Sequence, residues 1–474
     1  MDYILLAPEI LTALLGLVIL AAGLAWPQTI RRLVPVLALG GLGLVLLLVL
    51  WQFSRQRIFF YGVYQVDLFA NFFRLLFLVS ALLVLAMAGR YTEYFGSRRN
   101  EWYSFMVFAT LGMMLMVSAG DMLTLYIGLE LMTISFYILS AYLLGDSRSA
   151  EAGLKYLIIG ALSSAVLLFG MSLVYAASGS TVFTEISWAL AGGLSAQPLL
   201  VAGGLMIMAG LGFKVAAVPF HMWAPDIYQG APTPVTAYLA VASKAAGFAA
   251  LLRIWMGALP LADFDWNLVL AVLAALSIVI GNLIALAQQN VKRLLAYSSI
   301  AQAGYILVGL TAANYYGLQG MLFYALIYVF ANVGAFSVTT LVETEVGDAM
   351  LESFNALGQR APVPAAVMTV CLLSLAGIPP LAGFAGKFYL FSGAIQSGYL
   401  WLAFLGLLMS MISVYYYLSV AKAMYIGTSS EEREIMVPMA MRITLWVCLL
   451  FTLLVGVYPA PLASLASQAV RIFL

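Results

Sequence analysis

Five ionisable side chains stand within long apolar runs of this sequence: Glu130, Lys155, Lys214, Lys244 and Lys387. A lysine at the middle of a membrane helix costs roughly 2.5–3.5 kcal/mol on insertion scales. Such residues therefore face protein or water and mark ion or proton paths. A lysine's ordinary pKa falls on burial and rises again beside a carboxylate. A Glu–Lys pair that opens and closes thus loads and releases a proton. Lysine donates and carries protons but coordinates no Na⁺, so a lysine path favours H⁺ over metal cations.

Each residue also has a purely structural reading. Glu130 sits nine residues into its apolar run, about 14 Å along a helix; it is either half of a switching pair or an interhelical staple. Lys155 opens the next run and either snorkels or alternates between Glu130 and Lys214. Lys214 lies beside a proline break at Pro219, whereas Lys244 stands in an otherwise unbroken stretch. Lys387 follows a second break, where it either relays protons or caps a half-helix C-terminus by charge–dipole attraction. His221, the single histidine, is at i+7 from Lys214, on the same face if the helix continues. Tyr297, Ser298, Ser299 and Gln302, with Tyr415, Tyr416 and Tyr417 further on, are placed either to hold water chains or to act as polar helix glue. Asp67 and Arg74 read as snorkelling or locally paired, and Glu343, Glu345, Asp348 and Glu352 as a solvated face or partner contact.

The elements that position these groups follow from composition. The 474 residues are 64% hydrophobic and 9% charged, with a net charge of +1; soluble domains carry about 25% charged residues. This is an all-α polytopic membrane protein with no basic field for nucleic acid. A bilayer core needs about 20 apolar residues per helix, and marking such runs gives about fourteen spans. The seventh, 199–223, contains Gly210, Gly212 and Pro219; the twelfth, 361–394, contains Gly377, Pro379, Pro380, Gly383 and Gly386. Proline breaks the helix ladder, and in lipid freed backbone groups survive only within protein or at a wet cavity. Broken helices in matching halves point to inverted repeats. MAGLGFK (208–214) against LAGFAGK (381–387) supports repeats of helices 4–8 and 9–13. The expected division is 1–101 (helices 1–3), 102–256 (first repeat), 257–425 (second repeat) and 426–474 (last loop and helix 14).

Thirteen lysines and arginines, from Arg31 to Arg442 and including Arg433, fall in or beside odd-numbered loops; Arg55, Arg57 and Arg253 fall in even-numbered ones. Positive charge stays cytoplasmic, which puts both termini on the periplasmic side. The N-terminal segment lacks a basic leader region and reads as a first span, not a removed signal. Cys371 and Cys448 form no CxxC pair and by themselves hold no zinc or iron–sulfur cluster. No dinucleotide fingerprint, phosphate loop or metal-ligand cluster is present in the sequence, so electron carriers are expected elsewhere.

Four segments carry a family resemblance: GLELMTISFYILSAY (128–142), PFHMWAPDIYQGAPTPVTAYLAVASKAAGFAALLR (219–253), NVKRLLAYSSIAQAGYIL (290–307) and SLAGIPPLAGFAGKFYLF (374–391). They resemble the antiporter-like, proton-translocating membrane subunits of respiratory complex I, NADH:quinone oxidoreductase. The resemblance implies fourteen helices with two inverted five-helix repeats, in the bacterial inner membrane. It implies that Glu130 is the helix-5 carboxylate, and Lys214, Lys244 and Lys387 the lysines of helices 7, 8 and 12. Lys155 matches the basic residue opening helix 6. It further implies partners among antiporter-like and small transmembrane subunits, with FMN, iron–sulfur clusters and quinone in other subunits of the complex, where electron transfer takes place. The sequence departs from some family members in having no histidine between Lys244 and Lys387; waters held by tyrosines and serines would take that place. Alternative readings are a multisubunit Na⁺/H⁺ antiporter subunit and a structural spacer of the membrane arm.

Overall fold

The computed structural model describes residues 2–25, 32–191, 198–259, 265–428 and 434–474. Arg31 and Arg433, counted above among the basic loops, lie outside the described residues.

The spanning helices are α1 (Ala7–Ala25), α2 (Val34–Gln52), α3 (Leu68–Met87), α4 (Arg99–Val117), α5 (Met122–Ser140) and α6 (Ser147–Ser178). The seventh is split into α7a (Pro198–Val215) and α7b (Trp223–Gly230). Then come α8 (Thr233–Ala258), α9 (Trp266–Ala285), α10 (Val291–Ala312) and α11 (Tyr315–Val346). The twelfth is split into α12a (Pro362–Ala376) and α12b (Ala382–Gln396). α13 (Leu400–Ile426) and α14 (Met439–Val457) follow. Twelve helices among the described residues are individually long and apolar enough to cross a bilayer. α4, with its polar first turn, and the broken twelfth helix bring the set to the expected fourteen. The C-terminal part of 426–474, expected to hold helix 14 alone, carries two helices: α14 stops at Val457 and a short α15 (Ala460–Val470) follows. Pro459 lacks the amide that would continue the ladder.

Helix starts are set by short polar side chains. Asp67, Asp121, Asp146, Asp265, Asn290 and Asn314 each accept a backbone N–H from the first turn of the helix that follows, which satisfies an otherwise orphaned donor. An antiparallel pair, β1 (Arg57–Phe59) and β2 (Tyr64–Val66), covers one end between α2 and α3.

Burial separates two kinds of helix. The best windows of α8, α10 and α11 are 94–100% buried, and those of α1, α2, α6, α13 and α14 only 28–33%. The first three form the centre, and the others present apolar faces outward. α8 is not the unbroken helix expected around Lys244. A π-helical turn over Leu239–Ser243 precedes it and a second covers Arg253–Ala258. A π turn holds one residue more than an α turn, so it resets the face on which Lys244 emerges.

Candidate functional site: a row of buried lysines

The seventh helix ends its first half just after Lys214. Ala216 takes a left-handed conformation (φ 57°), and the amides of Ala216 and Ala217 fold back onto the carbonyls of Phe213 and Gly212. His221 therefore does not share a helical face with Lys214. It lies within the break, and its Nδ1 is buried with no hydrogen-bond partner among the described residues.

Lys214 is buried and donates from Nζ to Thr133 Oγ1 at 2.6 Å, on α5. The rings of Phe213 and Tyr137 flank its ammonium at 5.4 and 6.0 Å. Glu130, one turn before Thr133 on the same helix, accepts a hydrogen bond from Ser164 Oγ of α6. Glu130 and Lys214 are thus neighbours with separate partners rather than a closed ion pair. Tyr137 OH is buried beside them, also without a hydrogen-bond partner among the described residues.

Lys155 is not brought to Glu130. Its Nζ lies 2.6 Å from Glu151 and 2.8 Å from Asp226 Oδ2. Nine residues, about 14 Å of helix, separate it from the Ser164 that touches Glu130. The expected alternation of Lys155 between Glu130 and Lys214 is not what the geometry holds. Asp226 of α7b instead bridges Lys155 and Arg293 Nη1, the latter at 2.7 Å. The cluster borders a cavity of about 240 Å³. Asp226 stands in the PDIYQG segment of the sequence. Lys155 stands in the third turn of α6 and Arg293 in the first turn of α10, so both lie toward the starts of their helices.

Lys244 is buried on α8 and donates to the carbonyl oxygen of Ser299 at 3.0 Å and to its hydroxyl. Its link to Lys214 is one of packing: a Cβ built on Gly247, three residues after Lys244, would lie 3.4 Å from Lys214 Cβ.

From Lys244 onward the side chains form a ladder. Ser298, adjacent to Ser299, shares a 2.5 Å hydrogen bond with Tyr417 OH on α13. Gln302, one turn along α10, donates to Tyr417 OH at 3.2 Å and to Leu375 O at 2.9 Å. Lys387 Nζ donates to that same carbonyl at 2.9 Å, to Ala376 O at 3.1 Å and to Ser410 Oγ at 2.7 Å. A second branch runs beside it. Lys387 lies 4.4 Å from the centre of the Tyr305 ring. Asn282 donates to Tyr305 OH at 3.2 Å and accepts from Tyr416 OH at 2.9 Å.

Two of the expected relay tyrosines are elsewhere. Tyr415 is 72% exposed on the outer face of α13, since three consecutive helical residues cannot all face inward; Tyr417 takes the inner position. Tyr297 is half-buried, packed against the core. Asp67 and Arg74, read as snorkelling or locally paired, and Glu343, read as part of a solvated face or partner contact, pair with residues distant in the chain. Arg74 meets Glu9 at 2.6 Å, Asp67 meets buried Arg253 at 2.7 Å, and Glu343 meets buried Lys292 at 3.0 Å. Thr133, Ser164, Ser410, Tyr305 and Asn282 carried no signal in the sequence, because each is an ordinary polar residue until packing sets it against a lysine.

Membrane helices split twice, with lysines buried at both breaks, define a polytopic ion-translocating protein. The chain belongs to the NADH:quinone oxidoreductase/Mrp antiporter transmembrane family, whose match spans residues 119–413. It is 50% identical to the NADH-quinone oxidoreductase subunit N of Desulforamulus reducens, over 100% of this chain and 99% of that one. It is likewise 50% identical to the subunit of the same name from Moorella thermoacetica, over 99% of each. A chain of respiratory complex I from Thermus thermophilus superposes with a TM-score of 0.83 at 35% identity, covering 97% of this chain and 99% of that chain.

Proposed function

We propose that this chain is a proton-translocating membrane-arm subunit of an NADH:quinone oxidoreductase, multi-pass in the inner membrane, and that protons move along Glu130, Lys214, Lys244 and Lys387. The observation that carries the path is the row itself. Three buried ammonium groups on α7a, α8 and α12b are spanned by polar contacts of α5, α10 and α13. Burying charges without function is costly, and a single ion pair would staple two helices more cheaply than three lysines.

In this reading Glu130 exchanges Ser164 for Lys214 when the subunit is driven, and the lysine's proton affinity changes with that pairing. Asp226, Lys155 and Arg293 form the mouth, and Lys155 acts there, not as a partner of Glu130. The Ser298–Tyr417–Gln302 ladder supplies the central link for which no histidine is present. FMN, iron–sulfur clusters and quinone belong to partner subunits, among which this chain sits in the membrane arm. Both termini lie on the periplasmic side, with the mouth facing the cytoplasm; the excess of basic residues at the odd-numbered loops supports this. Residues 102–256 and 257–425 act as the two antiporter-like repeats, after 1–101 and before 426–474.

The test is Lys214→Met in the intact complex, with assembly followed on a native gel. Proton uptake into vesicles and quinone reduction are expected to fall together by at least about ten-fold, about 1.4 kcal/mol. An assembled complex that pumps and reduces quinone at the original rates would refute the path.

A further inference from the structure

The stretch of α6 between the mouth and Glu130 faces a hydroxyl that the path above does not use. Gly160 stands there, after Lys155 and before Ser164. Opposite it is Tyr137 of α5: a Cβ built on Gly160 would collide with Tyr137 OH, so the glycine leaves the phenol its place. On α5, Glu130, Thr133 and Tyr137 follow at i, i+3 and i+7 and share a face. Thr133 holds Lys214, and the Tyr137 ring lies 6.0 Å from the same ammonium. The chain turns back between the end of α5 at Ser140 and the start of α6 at Ser147. Tyr137 is thus nearer the mouth than Thr133 or Glu130.

Tyr137 is 8% exposed, and its hydroxyl is buried without a hydrogen-bond partner among the described residues. A buried, unpaired hydroxyl costs free energy that phenylalanine in the same place would not. The ring itself is firmly held. It meets Tyr156 edge to face at 4.9 Å, and Tyr156 stacks on Trp223 of α7b at 5.0 Å. Tyr156 follows Lys155 directly, and Trp223 precedes Asp226 by three residues. An aromatic wall therefore runs from the mouth to the rings that flank Lys214. Packing accounts for the rings of this wall, but not for the oxygen on Tyr137.

We propose that Tyr137 is the proton relay between the mouth and Lys214, a role that rests on the proton-path reading above. When Lys214 is a neutral amine, the phenol gives it a hydrogen: an O–H bond breaks and an N–H bond forms. A protonated water arriving from the mouth supplies a replacement proton to the phenol oxygen. Tyrosine stays neutral, and one proton has moved inward. A hydroxyl can do this because it donates one hydrogen and accepts on its lone pairs. Lys214 has one polar partner, Thr133, so the tip of its side chain can turn from the threonine to the phenol.

The experiment is Tyr137→Phe in the intact complex, measured beside Lys214→Met. Proton uptake into vesicles is expected to fall at least about five-fold, with quinone reduction falling in step. The melting temperature of the complex is expected to stay the same or rise, because an unpaired buried hydroxyl has gone. Fluorotyrosine at the same position keeps the hydroxyl and is expected to restore pumping; if it does not, the hydroxyl is not the acting group and the proposal falls. Pumping at the original rate by assembled Tyr137→Phe overturns the proposal. So does a loss of pumping that comes with a lower melting temperature, which would show a packing role for the phenol oxygen. If Lys214→Met stops pumping and Tyr137→Phe does not, the path stands without Tyr137. If both variants pump at the original rate, the path itself fails.

Discussion

The breaks in the seventh and twelfth helices place the same side chain in opposite ways. In the seventh, Lys214 ends the first half-helix and points away from the break, to Thr133 on α5. In the twelfth, Lys387 begins more than a turn into the second half-helix and points back across the break. Gly377, at φ 87°, turns the chain there and returns its amide to the carbonyls of Leu373 and Ser374. The carbonyls of Leu375 and Ala376 are left over, and Lys387 takes both. An ammonium has three donors. Lys387 places all three, Lys244 two on one serine, and Lys214 one. The glycine-then-lysine likeness of 208–214 and 381–387 therefore joins residues on opposite sides of their breaks. A lysine with one partner and a carboxylate nearby is free to change partners. A lysine that caps a half-helix is held where it is. The two breaks teach that one residue type is held by a single partner in the first half of the molecule and by three in the second.

Removing the anchor has the largest expected effect on stability. Lys387→Met removes three hydrogen bonds donated by one ammonium, although Leu375 O keeps Gln302 and Ala376 O keeps Ser410 as donors; each bond to a charged group is worth about 1.5–3 kcal/mol. The assembled complex is expected to unfold at clearly lower temperature, with pumping lost as well; an unchanged melting curve would erase the distinction between the breaks. Lys214→Met forfeits one neutral partner, so its stability cost is expected near 1 kcal/mol while pumping fails. A loss of assembly equal to that of Lys387→Met would show Lys214 to be an anchor too.

Gly377→Ala comes next. A side chain in the left-handed region costs about 1 kcal/mol, and a Cβ there would stand 3.0 Å from Lys387 Cδ. Reduced thermal stability with a smaller loss of pumping than Lys387→Met is the expected pattern, read from the same melting curves and vesicle assays. The smallest effect is expected from Thr133→Val, which keeps shape but removes the partner of Lys214. Stability should change by under about 1.5 kcal/mol, and the pH profile of pumping should shift because Lys214 is then left to Glu130 alone. A profile that superposes on wild type means that Thr133 does not hold Lys214 in the working protein.

Much of this was legible before any coordinates. Apolar runs of about 20 residues specify spans because the bilayer leaves no other way to satisfy a backbone. Lys214, Lys244 and Lys387 stood out because charge within such runs is expensive. Prolines and glycines marked both breaks, since they alone forbid or release the helical ladder. Less was legible about partners. The π turn before Lys244 leaves no mark in LAVAS, and Tyr415, Tyr416 and Tyr417 are chemically equivalent until the rotation of α13 turns one outward and two inward.

The sequence by itself determined the number of spans, where two of them break and that Lys214, Lys244 and Lys387 carry buried charge, because these depend on local composition and on the solvent around the helices. The tertiary structure alone decided that Lys155 meets Asp226 and not Glu130, that Lys387 caps its own broken helix, and that Tyr417 completes the ladder. Hydrogen bonds act over about 3 Å, and which atoms come that close depends on how each helix is rotated and set against its neighbours, a property of the packed bundle and not of any one segment.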